Sequence, residues 1–215
     1  MPGQPGQDGG GGQRRVALVT GAAQGLGHAT ANPSAASRLG PVQVLVANAA
    51  AMAMSPFLEA KPDEWWHQID VNLSGHFRVI QAVIPGMRAQ GHGRIIIISS
   101  GWGVIGHPNA TAYAASKAGL IALTKGLGRE LGPQGILTNA IAPSFIDTEQ
   151  LRVDADDAGI TLEEMRQRYR EQIPVRQLAS PADIAAAVAF LAGPGSGAVI
   201  GQVLQPNGGV TRTRA

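Results

Sequence analysis

Arg15-Val-Ala-Leu-Val-Thr20-Gly21-Ala-Ala-Gln-Gly25-Leu-Gly27 is a short apolar run that opens directly into a glycine-rich turn. Bounded in this way, the run predicts a strand over 15–20, and the small residues after it predict a tight turn into a short helix from Gly25. Such a turn lets backbone N–H groups approach a pyrophosphate. The helix N-terminus adds partial positive charge, so the stretch has the make-up of a dinucleotide-binding fingerprint.

The rest of the chain alternates between strand and helix patterns. Strands are expected over 42–47, 93–100, 136–141 and 203–205, with a long helix over 62–90 bent at Ser74-Gly75 and Pro85. A further helix, capped by Asn109 or Thr111, ends near Gly132-Pro133, and Ser180-Pro181-Ala-Asp183 starts another with cap residue and proline in the favoured order. This alternation predicts an α/β fold: a Rossmann-like, doubly wound parallel sheet covered on both faces. Residues 1–13 read as a disordered Gly/Pro-rich tail and 14–215 as a single domain.

Tyr113 and Lys117 stand four residues apart in the Ala-rich segment Thr111-Ala-Tyr113-Ala-Ala-Ser-Lys117, with Ser100 thirteen residues upstream at the end of an Ile-rich strand. Residues at i and i+4 share a helix face, so an ammonium can lie beside the phenol and favour its ionised form. An unperturbed phenol titrates near ~10. A lowering by roughly 1–3 units, from Lys117 and a cationic nicotinamide, would bring Tyr113 into the range of acid–base work.

The order of strand, Thr20-Gly21-x-x-x-Gly25-x-Gly27 turn, Ser100 and Tyr113-x-x-x-Lys117 resembles the short-chain dehydrogenase/reductase family, in particular its 3-oxoacyl-carrier-protein reductases. The resemblance covers nearly everything after residue 13. Asn48-Ala-Ala50 is similar to the family's Asn-Ala-Gly, with Ala50 in place of the glycine, and Val71-Asn72-Leu-Ser-Gly75 to the segment whose Asn supports the catalytic Lys. Asn139-Ala-Ile-Ala-Pro143-Ser144 resembles the segment that closes over the nicotinamide, Ser144 standing where glycine is usual. The resemblance implies a catalytic set of Ser100, Tyr113, Lys117 and Asn72. It implies cofactor contacts at Gly21, Gln24, Gly25, Leu26, Gly27, Asn48, Ala49, Tyr113, Lys117, Pro143, Ile146 and Thr148, for NAD or NADP, and a small carbonyl or alcohol substrate. It further implies a homodimer or homotetramer in the cytoplasm.

Residues 147–179 form an insertion of mixed charge, which the resemblance makes a substrate lid. Thr161-Leu-Glu-Glu164 is a capping box, and Leu162, Met165, Tyr169 and Ile173 form an apolar stripe expected to cover a partly apolar substrate. Arg166, Arg168 and Arg170 read as a solvated face.

Composition narrows the alternatives. The 215 residues, 44% hydrophobic, suffice for one sizeable core. A net charge of +2 without a Lys/Arg run argues against nucleic acid, and no apolar stretch reaches the ~18 residues of a membrane span. Zero Cys removes thiolate metal sites and a Cys nucleophile, the five His lack metal-ligand spacing, and no metal is expected.

Only fourteen residues, 28–41, connect the glycine turn to the strand at 42–47. A βαβ unit takes about 30 or more, so the family's strands 2 and 3 have no room here. Its order 3-2-1-4-5-6-7 should shrink to about five strands, 1-4-5-6-7, with strand 1 as an edge. The acidic or basic residue that distinguishes NAD from NADP, ~20 residues past the turn, then has no counterpart. The right-handed crossover rule puts the direct connection on the opposite face from the usual cofactor helix, with Asn32-Pro33 breaking it before a turn of helix at 34–39. An alternative reading is a truncated relative acting as an interaction or structural subunit.

Overall fold

The computed structural model describes residues 15–21 and 40–211. The expectations for the N-terminal tail, the helix from Gly25, the segment 34–39 and the face taken by the crossover fall outside these residues.

Five strands, β1 (Ala17–Val19), β2 (Val44–Ala47), β3 (Gly93–Ile98), β4 (Ile136–Ile141) and β5 (Val203–Leu204), form one parallel sheet in the order β1-β2-β3-β4-β5. Ala17 pairs with Val44, Val44 with Arg94, Gly93 with Ile136, and Ala140 with Val203. This is the shortened order expected from the short 28–41 connection.

The central strands read as unbroken apolar runs because both of their faces are covered. Alternate residues divide between two cores. Leu45, Ala47, Ile95 and Ile97 point to one, where they meet Val79, Ile80, Val83 and Met87 of helix α2 (Gly75–Gln90) and Leu120 and Leu131 of a later, longer helix, Thr111–Leu131. Val44, Val46, Ile96 and Ile98 point to the other, against Ile184, Val188 and Leu191 of a helix at Pro181–Ala192. Each fully buried Ile or Leu contributes roughly 1.5–3 kcal/mol, so the two-residue alternation fixes the register.

The sheet edge at β1 is less covered. Leu18 packs on the first core, but Ala17 is exposed and Val19 is 44% exposed. Strand 1 is thus an edge among the described strands, and its apolar outer residues are the kind that invite new pairing.

The expected long helix over 62–90 is present but interrupted. α1 (Pro62–Ile69) passes into a π-helical turn at Asp70–Ser74 before α2 begins at Gly75. The extra residue in this turn places Asn72 in the interior, fully buried. After β3 comes the single-turn α3 (Trp102–Ile105), then α4 (Thr111–Leu131). Neither Asn109 nor Thr111 caps α4. Its N-cap is Ala110, because Asn109 takes φ +62° at the approach and the Thr111 hydroxyl accepts instead from Trp65 Nε1 at 3.3 Å.

Between β4 and β5 the chain makes an excursion containing α5 (Gln150–Asp157) and α6 (Leu162–Gln172), and α7 (Pro181–Ala192) returns to the sheet. A short bridge between Ile146 and Ala179 closes its stem. The capping boxes expected at Thr161/Glu164 and Ser180/Asp183 are both formed. Arg166 is not simply solvated: its guanidinium reaches both carboxylate oxygens of Asp147 at 3.2 Å, tying α6 to the stem.

Thr138, in the middle of β4, is fully buried and its hydroxyl lacks a hydrogen-bond partner. Thr138→Val keeps the shape and removes the unpaired group, so it should raise the unfolding free energy by about 1 kcal/mol in urea titration. A loss of stability would contradict this.

Candidate active site

The site lies beyond the carboxyl ends of the strands, where open α/β sheets place their ligands. At the β1–β2 junction the Thr20 hydroxyl accepts from the backbone N–H groups of Asn48 (3.0 Å) and Ala49 (3.2 Å), and Asn48 Nδ2 donates to Thr20 O. Gly21 follows with φ +71°, and a Cβ there would lie 2.7 Å from Ala49 Cα. Glycine is therefore required by backbone conformation and by space at once. Gln24, Gly25, Leu26 and Gly27 lie outside the described residues.

Where β3 ends, three consecutive residues hold three different jobs. Ile98 O accepts from Lys117 Nζ at 2.8 Å, Ser99 Oγ donates to Lys117 O at 2.8 Å, and Ser100 Oγ accepts from Trp102 N at 3.2 Å. Ser99 is thus spent on clamping α4, and Ser100 is the hydroxyl that borders the cavity. Gly103 lets α3 lie against α4 at this point: a Cβ on it would be 2.7 Å from Lys117 C.

A cavity of about 370 Å³ opens beside these groups, lined among others by Ala51, Met52, Ser100, Trp102, Tyr113, Ile146 and Thr148. Ser100 and Tyr113 share it, near enough for the Ser100 hydroxyl to act on the Tyr113 phenol. Trp102 meets Tyr113 edge-on, with 6.0 Å between ring centroids, and stacks on His107 at 3.9 Å. The expected contacts Ile146 and Thr148 border the cavity, whereas Pro143 lies behind it with its carbonyl bonded to Gly101 N.

Lys117 is 1% exposed, and its ammonium sits 5.4 Å from the centre of the Tyr113 ring. Burial holds that ammonium at about 8. The Tyr113 phenol does not follow the lowering expected from its neighbour. Burial pushes it above its usual value, against a smaller lowering by the nearby Ser100 hydroxyl. The reason is geometric: Lys117 lies over the ring and points its N–H at Ile98 O, and a buried phenolate costs more than that arrangement returns.

Asn72 is held by its own side chain. Its Oδ1 accepts from Ala51 N (2.7 Å), and Nδ2 donates to Ala51 O (2.9 Å) and Ser116 Oγ (3.0 Å), so the side-chain amide is occupied in joining the π turn to the β2 loop and to α4. The Ser116 hydroxyl in turn donates to Tyr113 O at 2.7 Å. Buried His76, one turn on, bonds Ala47 O at 3.0 Å and is lowered to about 4 by burial, hence neutral.

The apolar stripe on α6 divides. Met165 packs with Leu151 and Ala155, with Leu162 and Tyr169 at their edge, while Ile173 is buried elsewhere. Of the four, Tyr169 lines the cavity, stacked on Phe145 at 4.4 Å. Motif reading passed over Thr20, Ser99, Ser116 and Trp102. Thr20 was visible within the glycine motif, while the others are recognisable only once β3 and α4 are in contact.

The family model described as Enoyl-(Acyl carrier protein) reductase matches residues 22–211. The 3-oxoacyl-[acyl-carrier-protein] reductase FabG of Staphylococcus epidermidis is 40% identical over 174 residues, which span 81% of this chain and 68% of that relative. The chain belongs to the short-chain dehydrogenase/reductase family. Two solved structures are similar over most of the chain: a gluconate 5-dehydrogenase from Burkholderia cenocepacia J2315 in complex with NADP and tartrate (TM-score 0.76, 34% identity, 82% of this chain and 68% of that one), and NAD+-bound xylitol dehydrogenase (TM-score 0.77, 30% identity, 82% and 72%). As a member of this short-chain dehydrogenase/reductase family, the protein is an oxidoreductase of the nicotinamide-dependent kind. Among the described residues no helix is long and apolar enough to cross a membrane.

Because the unfolded chain holds the Lys117 proton near 10.5 and the folded one near 8, the penalty of burying this charge is full below pH 8 and is relieved as pH rises to 10.5. Relative to Lys117→Met, the wild type should therefore gain roughly 2–3 kcal/mol between pH 7 and 10.5 in urea unfolding. A pH-independent difference would contradict the buried ammonium.

Proposed function

We propose that this chain transfers a hydride between NAD or NADP and a small carbonyl or alcohol substrate in the cavity bordered by Ser100 and Tyr113. The observation that carries this reading is the convergence of those two hydroxyls on one cavity, with a buried ammonium under the Tyr113 ring.

The residues at the nicotinamide end suit such a cofactor. Among the described residues Ile98 O is the one hydrogen-bond acceptor of the Lys117 ammonium, which leaves two of its three N–H donors for ribose hydroxyls. Ile146 and Thr148 supply an apolar and a polar contact beside it. When bound, the nicotinamide supplies or takes up the hydride and, in its oxidised form, adds a positive charge. Tyr113, kept protonated by burial, holds the proton at its phenolic oxygen and gives it to the carbonyl oxygen in reduction. Ser100 fixes that oxygen by hydrogen bonding. Lys117 favours the phenolate left behind, and Asn72 keeps α4 and the β2 loop in register. The 147–179 excursion acts as a lid over the substrate, excluding water.

We assign the working protein as a homodimer or homotetramer that packs through the outer faces of its long helices, where Trp66 (62% exposed) and Phe77 (52%) stand. A cytoplasmic location follows the same family reading. The second reading, an inactive structural subunit, draws on the exposed β1 edge. It requires that nucleotide does not bind.

Tyr113→Phe should lower carbonyl turnover by about 10²–10⁴-fold with an unchanged melting temperature. Undiminished turnover in that variant would remove Tyr113 from the chemistry.

A further inference from the structure

The wall of the cavity supplied by the excursion carries a charged group that the reaction does not need. Asp154 of α5 lines the same cavity as Ser100 and Tyr113. Its Oδ1 accepts from Gln150 Nε2 and its Oδ2 from the Tyr169 hydroxyl, both at 3.0 Å. Tyr169 is in turn held by its stack on Phe145. Burial and the nearby Asp154 carboxylate push the Tyr169 phenol up, so it remains a donor. The carboxylate is therefore fixed from both sides on two different helices.

These bonds occupy two of the roughly four acceptor sites of an ionised carboxylate. The described residues that line the cavity include no Lys, Arg or His, so nothing there neutralises Asp154. Arg168, the residue immediately before Tyr169, is exposed and is the least of the influences on that phenol. The nearest described cation of the site, the Lys117 ammonium, is set behind the Tyr113 ring and turned to Ile98 O, so a fixed negative charge on a described lining without a cation discriminates by repulsion.

We propose that Asp154 sets the charge selectivity of the site, admitting uncharged carbonyl and hydroxy compounds and repelling those that carry a carboxylate. The inference rests on the reading of this cavity as the substrate site. It makes Asp154 and Gln150 specificity-determining residues, outside the proton-transfer set.

The test is calorimetric titration of the full chain at pH 7 and fixed ionic strength with two probes of one skeleton, ethyl 3-hydroxybutyrate and 3-hydroxybutyrate. The wild type should bind the ester at least about tenfold more tightly than the acid. Asp154→Asn, which keeps an oxygen for Tyr169, should narrow that ratio about tenfold, and Gln150→Glu, which adds a carboxylate in the first turn of α5, should widen it. Asp156→Asn, on the exposed side of α5, should leave it unchanged. Reduction of ethyl acetoacetate, followed in parallel, separates this inference from the function it rests on. The expected binding pattern without turnover upholds Asp154 and defeats the reading of this cavity as the site where such carbonyls are reduced. Turnover with a ratio that neither Asp154→Asn nor Gln150→Glu alters overturns Asp154 alone. Equal binding of ester and acid by the wild type, or binding of neither, overturns it as well.

Discussion

A buried ammonium organises this molecule. Lys117 sits almost wholly out of water on α4, and its hydrogen bond to Ile98 O, with that of Ser99 to its own carbonyl, locks the longest helix to the end of β3. A buried charge is costly unless it is paired or hydrogen-bonded, and here the surroundings hold it in one place. Gly103 admits α3 against the same turn, and Asn72, turned inward by the π segment, reaches the adjacent Ser116. Ser100 and Tyr113 come together because the clamp beneath them leaves little freedom. Their geometry is thus a by-product of where the sheet and α4 meet.

The burial that orders the site also sets its electrostatics. The Tyr113 phenol rises and the Lys117 ammonium falls to about 8, both from the same loss of water. The two shifts move their proton affinities apart, so that the phenol holds its proton more firmly and the ammonium less. Residues that destabilise the fold are tolerated at functional sites for such reasons.

Much of this was legible in the residues. The alternation of Val44 to Ala47 and of Arg94 to Ile98 between two faces is that of a parallel sheet covered on both sides, and the short 28–41 connection anticipated the five-strand order and the exposed Val19 at its edge. The spacing of Ser100, Tyr113 and Lys117 placed the candidate site. What spacing does not carry is direction. An i, i+4 pair says that Lys117 and Tyr113 share a face; that the ammonium turns to Ile98 O, and that burial prevails over its charge, depends on β3, which lies far away in sequence. Spacing likewise does not show that the π turn directs the Asn72 amide to Ala51 and Ser116. The capping of α4 was missed because Asn109 is in the left-handed region and Thr111 is engaged by Trp65. Thr161 and Ser180, whose partners are local, were read correctly from the sequence.

Hydride transfer by this chain requires nucleotide binding by a domain whose first connection, residues 28–41, is short. The direct measurement is titration of the purified protein with NADH and NADPH, following nicotinamide fluorescence together with the melting temperature. Saturable binding of at least one, with a stabilisation approaching about 2.7 kcal/mol at a hundredfold excess over Kd, is the predicted result. A folded, monodisperse protein that binds neither would contradict it and leave Ser100, Tyr113 and Lys117 as a site without its cofactor.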